Sequence, residues 1–266
     1  MNMKTMKIIN STIVASSMLL VGSLQAASEW TNTSADGLWT TAGNWANGFP
    51  SSGGDVRIHG NLIGGPLIES GVAAESKGTY LARDGDASLT MTGGTLTTVD
   101  TFQTTENSAS GGFKATVDIS GDAAITVGTS LQNRYGNLDL TISDTASFTA
   151  DHAWASRYED SHTDIKLYGG SFNISNTTHK IYIGTGTLLI DITEGQLINA
   201  GDWTNTYNGY VIAGQITGYG GSGTVDVSYD IANDQTIVTG VIPEPSAAGL
   251  LVGLGVLSLS ALRRRR

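Results

Sequence analysis

Cysteine is absent from the 266 residues, and only 14% of them are Asp, Glu, Lys or Arg. The first absence excludes disulfides, a thiol nucleophile and a Cys-based zinc site within this chain. Basic residues are scarcer still over most of the length. Six of the fourteen (Lys4, Lys7 and Arg263 to Arg266) lie at the two ends, leaving eight between Ala27 and Ile242 against twenty-three acidic residues, a net charge of about −15. Such a surface repels nucleic acid and anionic lipid, so no nucleic-acid partner is expected. Motifs that would announce chemistry are also missing. No His-Glu-x-x-His occurs, and Gly-Gly-Ser-Gly at 220–223 has no P-loop lysine after it. No cofactor, no metal ligand set and no catalytic residue is assigned.

The two ends carry the long apolar runs. Lys4 and Lys7 precede an uncharged stretch from Ile8 to Leu24, which closes on Gln25-Ala26-Ala27. This reads as a secretory signal peptide over 1–26, implying export through the Sec machinery. At the other end Ile242-Pro243-Glu244-Pro245 is followed by sixteen uncharged residues, Ala247 to Leu262, and then by Arg263, Arg264, Arg265 and Arg266. Neither proline can donate to a helix or a central strand. Sixteen residues span about 24 Å as a helix, the short limit for a bilayer, and the arginines fit a cytoplasmic end.

These features, in this order and flush with the C-terminus, resemble a PEP-CTERM sorting tail. The resemblance covers 241–266 and implies an address, with no implied activity. It implies an exosortase as the processing enzyme, Pro243, Glu244 and Pro245 as its recognition motif, and 247–262 as a transmembrane helix in the inner membrane. It also implies a final place in the envelope, surface or matrix of a Gram-negative-type bacterium that makes exopolysaccharide.

Between the signals, Trp30, Trp39 and Trp45 fall within sixteen residues rich in Gly, Asn, Ser and Thr, ahead of an alternating segment at Asp55-Val56-Arg57-Ile58. The cluster resembles the start of bacterial β-solenoid surface proteins. Its physical reading is a cap over 27–60 that covers the open end of a core. A sugar-stacking platform is the competing reading.

From Leu89 the chain repeats: LTMTGGTLTT (89–98), VDISGDAAITV (117–127), LTISDTASFTA (140–150), IKLYGGSFNIS (165–175) and LIDITEGQLIN (189–199). Aligning Met91, Ile119, Ile142, Leu167 and Ile192 gives steps of 28, 23, 25 and 25 residues. Each unit is too short to bury its own apolar face, and stacking joins the faces into one core. The apolar period of two and the abundance of Thr, Ile and Val argue for strands. Gly and Asp mark the bends.

The predicted fold is all-β: a right-handed parallel β-helix over 61–240, of five to seven coils and about 25–35 Å long at the usual strand spacing. Leu62 to Tyr80 reads as its first coil. An antiparallel sandwich also fits strands at this spacing. After Asn199, the alternation at Val225, Val227 and Tyr229, a turn at Asn233-Asp234 and the return at Ile237-Val238 predict a hairpin that closes the rod.

The unusual side chains collect in 151–162, which reads as an insertion between strands. His152, Trp154, Arg157, Tyr158 and His162 form the candidate binding surface there, with Arg157 suited to an anionic sugar. His59 and His179 read as isolated residues. Asp118, Asp139 and Asp191 occur in successive repeats, and Asp122 and Asp144 lie near corners. Stacked, they would gather charge or bind Ca²⁺, although Asp is also an ordinary corner residue.

Two functions follow. One is a structural or adhesive surface protein, with exopolysaccharide as an expected partner. The alternative is a lyase- or hydrolase-like β-helix enzyme that modifies polysaccharide, which would need carboxylates and a base converging in one groove.

Overall fold

A computed structural model of the chain describes residues 26–60, 64–106 and 112–242. The segment expected to be a signal peptide, apart from its last residue, and the expected sorting tail from Pro243 onward lie outside the described residues. No helix among the described residues is long and apolar enough to cross a membrane.

The described chain is a β-solenoid of about seven turns with three faces. Face one stacks Leu67–Ile68, Ala87–Met91, Lys114–Ile119, 137–142, 162–167, Thr187–Ile192 and Ile216–Gly218, all parallel. Face two stacks Ala73–Ser76, Thr95–Thr98, 124–127, 147–150, 171–174 and Gln196–Ala200. Face three runs from Ser28–Trp30 through Val56–Ile58, Thr79–Leu81, Phe102–Thr104, 131–133 and 153–156 to Ile181–Ile183. Parallel pairing throughout the coils rules out the sandwich. Leu67–Ile68, Ala73–Ser76 and Thr79–Leu81 put one strand on each face, and Ser28–Trp30 and Val56–Ile58 precede them on face three.

The register joins the aligned repeat positions directly. Met91 sits beside Ile119, Ile119 beside Ile142, Ile142 beside Leu167 and Leu167 beside Ile192. Ile68 extends this row by one coil toward the N-terminus and Gly218 by one toward the C-terminus. A second inward row on face one is Leu89, Val117, Leu140, Ile165, Ile190 and Ile216. Face two supplies Ala74, Leu96, Ile125, Phe148, Phe172 and Leu197. All are buried. Each large aliphatic among them contributes roughly 1.5–3 kcal/mol by leaving water, which no single coil could achieve alone. Phe148 lies between Phe102 at 5.7 Å and Phe172 at 5.5 Å, so the rings of two faces interlock.

Corners explain the Gly and Asp of the repeats. Asp144 has φ of 57°, and its carboxylate accepts the Gly121 N–H at 2.9 Å. The acids do not form a column. Asp118 is followed in its row by Thr141, then Lys166, then Asp191. Asp139 occupies a different row, beside Thr116 and Asp164, and pairs with Lys114 at 2.5 Å. Asp118 and Asp191 thus share a row but are separated by Thr141 and Lys166, while alternation along the strand puts Asp139 in the other row.

The three tryptophans are buried at the start of the core. Trp45 lies edge-on to Trp30 at 4.9 Å and to Trp39 at 4.7 Å. Its indole N–H donates to the Trp39 carbonyl at 2.8 Å. Rings so enclosed close the end of the core, and their faces are not open to a sugar.

The other end departs from expectation. A helix, Thr204–Ile212, precedes the hairpin. Its Tyr207 is fully buried and donates to Asn199 Oδ1 at 2.6 Å, while Tyr210 donates to the Ile181 carbonyl at 2.9 Å. The helix therefore lies over the last coil. The expected hairpin follows, Thr224–Asp230 with Gln235–Val241, and its second strand adds antiparallel to face two at Gln196–Ala200.

Candidate functional site

Residues 151–162 are not an insertion. Asn137–Ser156 is one continuous strand that turns through all three faces, and His162–Ile174 resumes after a short turn. Alternation holds over 152–155, and Ala153 points inward beside the larger Leu131 and Ile181, while Ala155 and Ser156 are both buried across a shift in register. The candidate residues are thus held on the wall of the rod by the ladder itself.

The outward row of face three reads Glu29, Arg57, Tyr80, Gln103, Gln132, Trp154, Tyr182. Trp154 stacks on Tyr182 with centroids 4.9 Å apart. At the adjoining corner Tyr158 stacks on Tyr135 at 4.4 Å. Arg157 bridges the two stacks, its guanidinium carbon 5.7 Å from the Trp154 ring and 5.5 Å from the Tyr158 ring, and it donates to Gln132 Oε1 at 3.3 Å. Such contacts contribute about 0.5–1 kcal/mol each at half-exposed positions. They fix four planar groups as one rigid strip.

His162 does not join the others. Its ring bonds the Thr187 hydroxyl at 2.6 Å on face one. His152 finds a different partner, His179, one coil on, with ring centroids 4.9 Å apart. The Nδ1 atoms of both rings lie at the same carboxylate oxygen of Asp151, 3.0 Å for His152 and 3.1 Å for His179. The second Asp151 oxygen accepts from Asn176 Nδ2 at 2.8 Å. Burial alone would raise the Asp151 pKa, but the bonds from His152, Asn176 and His179 outweigh it and hold the carboxyl below its ordinary range. Among the described residues, Asp151, His152 and His179 are the His and acid side chains grouped closely enough to share an ion, with donor atoms within 4.8 Å of one another.

Neither of the two histidines that read as isolated stands alone. His179 completes this cluster, and His59 sits between Asp84 at 3.3 Å and Glu29 at 4.0 Å. The repeat length carried the missed signal: one coil of 25–28 residues beyond Asp151 reaches Asn176 and His179.

The other faces contrast with this strip. Face two turns Thr95, Ala124, Ser147, Ser171 and Gln196 outward in one row, and Thr97, Thr126, Thr149 and Asn173 in the next. The open groove at the corner between faces one and two holds the carboxylates Asp144 and Glu194 among Gly, Ser, Thr and Gln, with no Lys, Arg or His among its described lining residues. No protein-family model, curated protein or solved structure matches this chain.

Proposed function

We propose that the protein is an exported, non-enzymatic surface β-solenoid that contacts polysaccharide through face three. The observation that carries this reading is the strip of Trp154, Tyr182, Tyr135 and Tyr158 bridged by Arg157. Rigid, half-buried aromatic groups with polar rims bind at little entropic cost. Arg157 and its neighbour Arg134 put cationic N–H donors into an otherwise acidic chain, which suits an anionic sugar. The Ser, Thr and Asn rows of face two fit a solvated structural wall. Asp144 and Glu194 share a groove with no base among its described lining residues, and Lys166, which lines a groove with Asp164 and Asp191, is paired to Asp164 at 3.0 Å and held protonated by that bond, which favours this reading over the lyase- or hydrolase-like one. The coils are read as right-handed, the sense that parallel crossovers favour.

The address completes the proposal. Residues 1–26 direct export, and Pro243, Glu244 and Pro245 are read by an exosortase while 247–262 spans the inner membrane and the four arginines remain in the cytoplasm. The order of those three C-terminal features supports this part. Two measurements test the reading. Intact mass of the protein from native cells should give a C-terminus near Pro243–Ser246, and a chain still ending at Arg266 in cells that possess the enzyme would refute sorting. Retention on acidic exopolysaccharide should fall at least about tenfold in a Trp154→Ala, Arg157→Ala double variant. Equal retention of the folded variant would refute the binding strip.

A further inference from the structure

The geometry points to a metal site: we infer that Asp151, His152 and His179 bind one first-row divalent transition ion of the zinc class. Two imidazole nitrogens already converge on one carboxylate oxygen, at 3.0 and 3.1 Å. An ion bonded to nitrogen and oxygen at about 2.0–2.2 Å separates neighbouring donors by about 3 Å in octahedral and about 3.3 Å in tetrahedral geometry. The two nitrogen-to-oxygen separations fit those edges, and the three donor atoms lie within 4.8 Å of one another. Ligation moves each ring's proton from Nδ1, where it bonds the Asp151 carboxylate, to Nε2, which frees Nδ1 for the ion.

Support around the donors is in place. Asn176 holds the second oxygen of Asp151 at 2.8 Å, and Asn199 Nδ2 donates to the His179 carbonyl at 3.0 Å. Such contacts orient ligands before the ion arrives. The donor set also selects the ion. Two nitrogens and one oxygen suit zinc, copper, nickel or iron, whereas Ca²⁺ and Mg²⁺ need more oxygen ligands than these residues supply. Three protein ligands leave a coordination position open. The Tyr182 ring stands 6.3 Å from His152 and 6.2 Å from His179, so the open position adjoins the aromatic strip. Asp151 and His152 belong to one coil and His179 to the next, so binding ties successive coils together.

The test uses the full exported chain without a polyhistidine tag, stripped by a chelator and titrated calorimetrically with Zn²⁺, and with Ca²⁺ as comparator. One equivalent of Zn²⁺ should bind, Ca²⁺ should bind at least about a hundredfold more weakly, and the melting temperature should rise with Zn²⁺. His179→Gln and Asp151→Asn should each weaken Zn²⁺ binding by about tenfold or more. His162→Gln, on the other face, should leave it unchanged. Should the cluster variants fail to fold, Cu²⁺ on the wild-type chain gives a second readout, with resonance splitting from two ligating nitrogens. No Zn²⁺ binding, full binding by folded His179→Gln, or a copper spectrum with fewer than two nitrogens would overturn the site. This outcome is independent of polysaccharide retention.

Discussion

The ring of Tyr158 lies parallel to that of Tyr135, tilted by 8° with centroids 4.4 Å apart. Their phenols are driven in opposite directions. A hydrogen bond with Arg134, one with Tyr135 and the nearby Arg157 charge pull the Tyr158 pKa below 10.0. Desolvation and the bond with Tyr158 push the Tyr135 pKa above it. On raising the pH, Tyr158 therefore ionises first. Phenolate absorbance should show an early step that Tyr158→Phe removes and Arg134→Ala moves to higher pH. An early step that survives Tyr158→Phe would contradict this assignment.

Asn133 is fully buried and joins three coils. Its Oδ1 accepts from Thr104 at 3.1 Å and Thr105 at 2.7 Å, and its Nδ2 donates to the His162 carbonyl at 2.8 Å and the Thr163 hydroxyl at 3.0 Å. Asn133→Ala strands these partners away from water and should cost about 2–4 kcal/mol in denaturant unfolding. A loss below about 1 kcal/mol would show that water replaces the amide.

Two glycines should respond oppositely to alanine. Gly170 has φ of +47°, and a Cβ there would collide with the Ala146 carbonyl oxygen. Gly170→Ala should destabilise by about 2 kcal/mol or more. Gly209 lies in the Thr204–Ile212 helix with open space where a Cβ would stand. Gly209→Ala should stabilise by up to about 1 kcal/mol. Chemical denaturation of the pair tests both signs at once.

Acid should loosen the tryptophan end. The Asp36 carboxylate accepts from the Thr41 hydroxyl at 2.6 Å, the Leu38 N–H at 3.0 Å and Asn44 Nδ2 at 2.5 Å. These bonds, Thr41 foremost, hold its pKa below 3.8. A carboxyl lowered by folding stabilises above its unfolded pKa, and the contribution disappears as pH falls through the folded one. Unfolding midpoints should therefore fall below about pH 4, and less steeply in Asp36→Asn. An identical acid profile in that variant would remove Asp36 from the account.

How much was legible in the sequence depended on which side chains fill the core. Met91, Ile119, Ile142, Leu167 and Ile192 are large, apolar and regularly spaced, so their alignment became a physical row. Strand 151–156 was hidden because Ala153 and Ala155 give little apolar contrast. The helix at Thr204–Ile212 was hidden because Thr, Asn and Gly form helices poorly and no apolar stripe marks it; Tyr207 and Tyr210 hold it from below. His179 seemed isolated because distance along a solenoid is counted in coils. Nothing in the chain's local pattern pairs it with His152.

The final strand of face two, Gln235–Val241, runs against every rung before it. A parallel edge is a template on which another copy could lay its first coil. Here that direction is broken, a helix lies over the last coil, and three indoles shut the opposite mouth. On face two the outermost strand, Thr224–Asp230, lies antiparallel to Gln235–Val241, so the parallel register of the coils stops there. Among the described residues the height of the parallel stack is set by the number of repeats encoded, so adding or removing one repeat would change it by one strand spacing, about 4.8 Å.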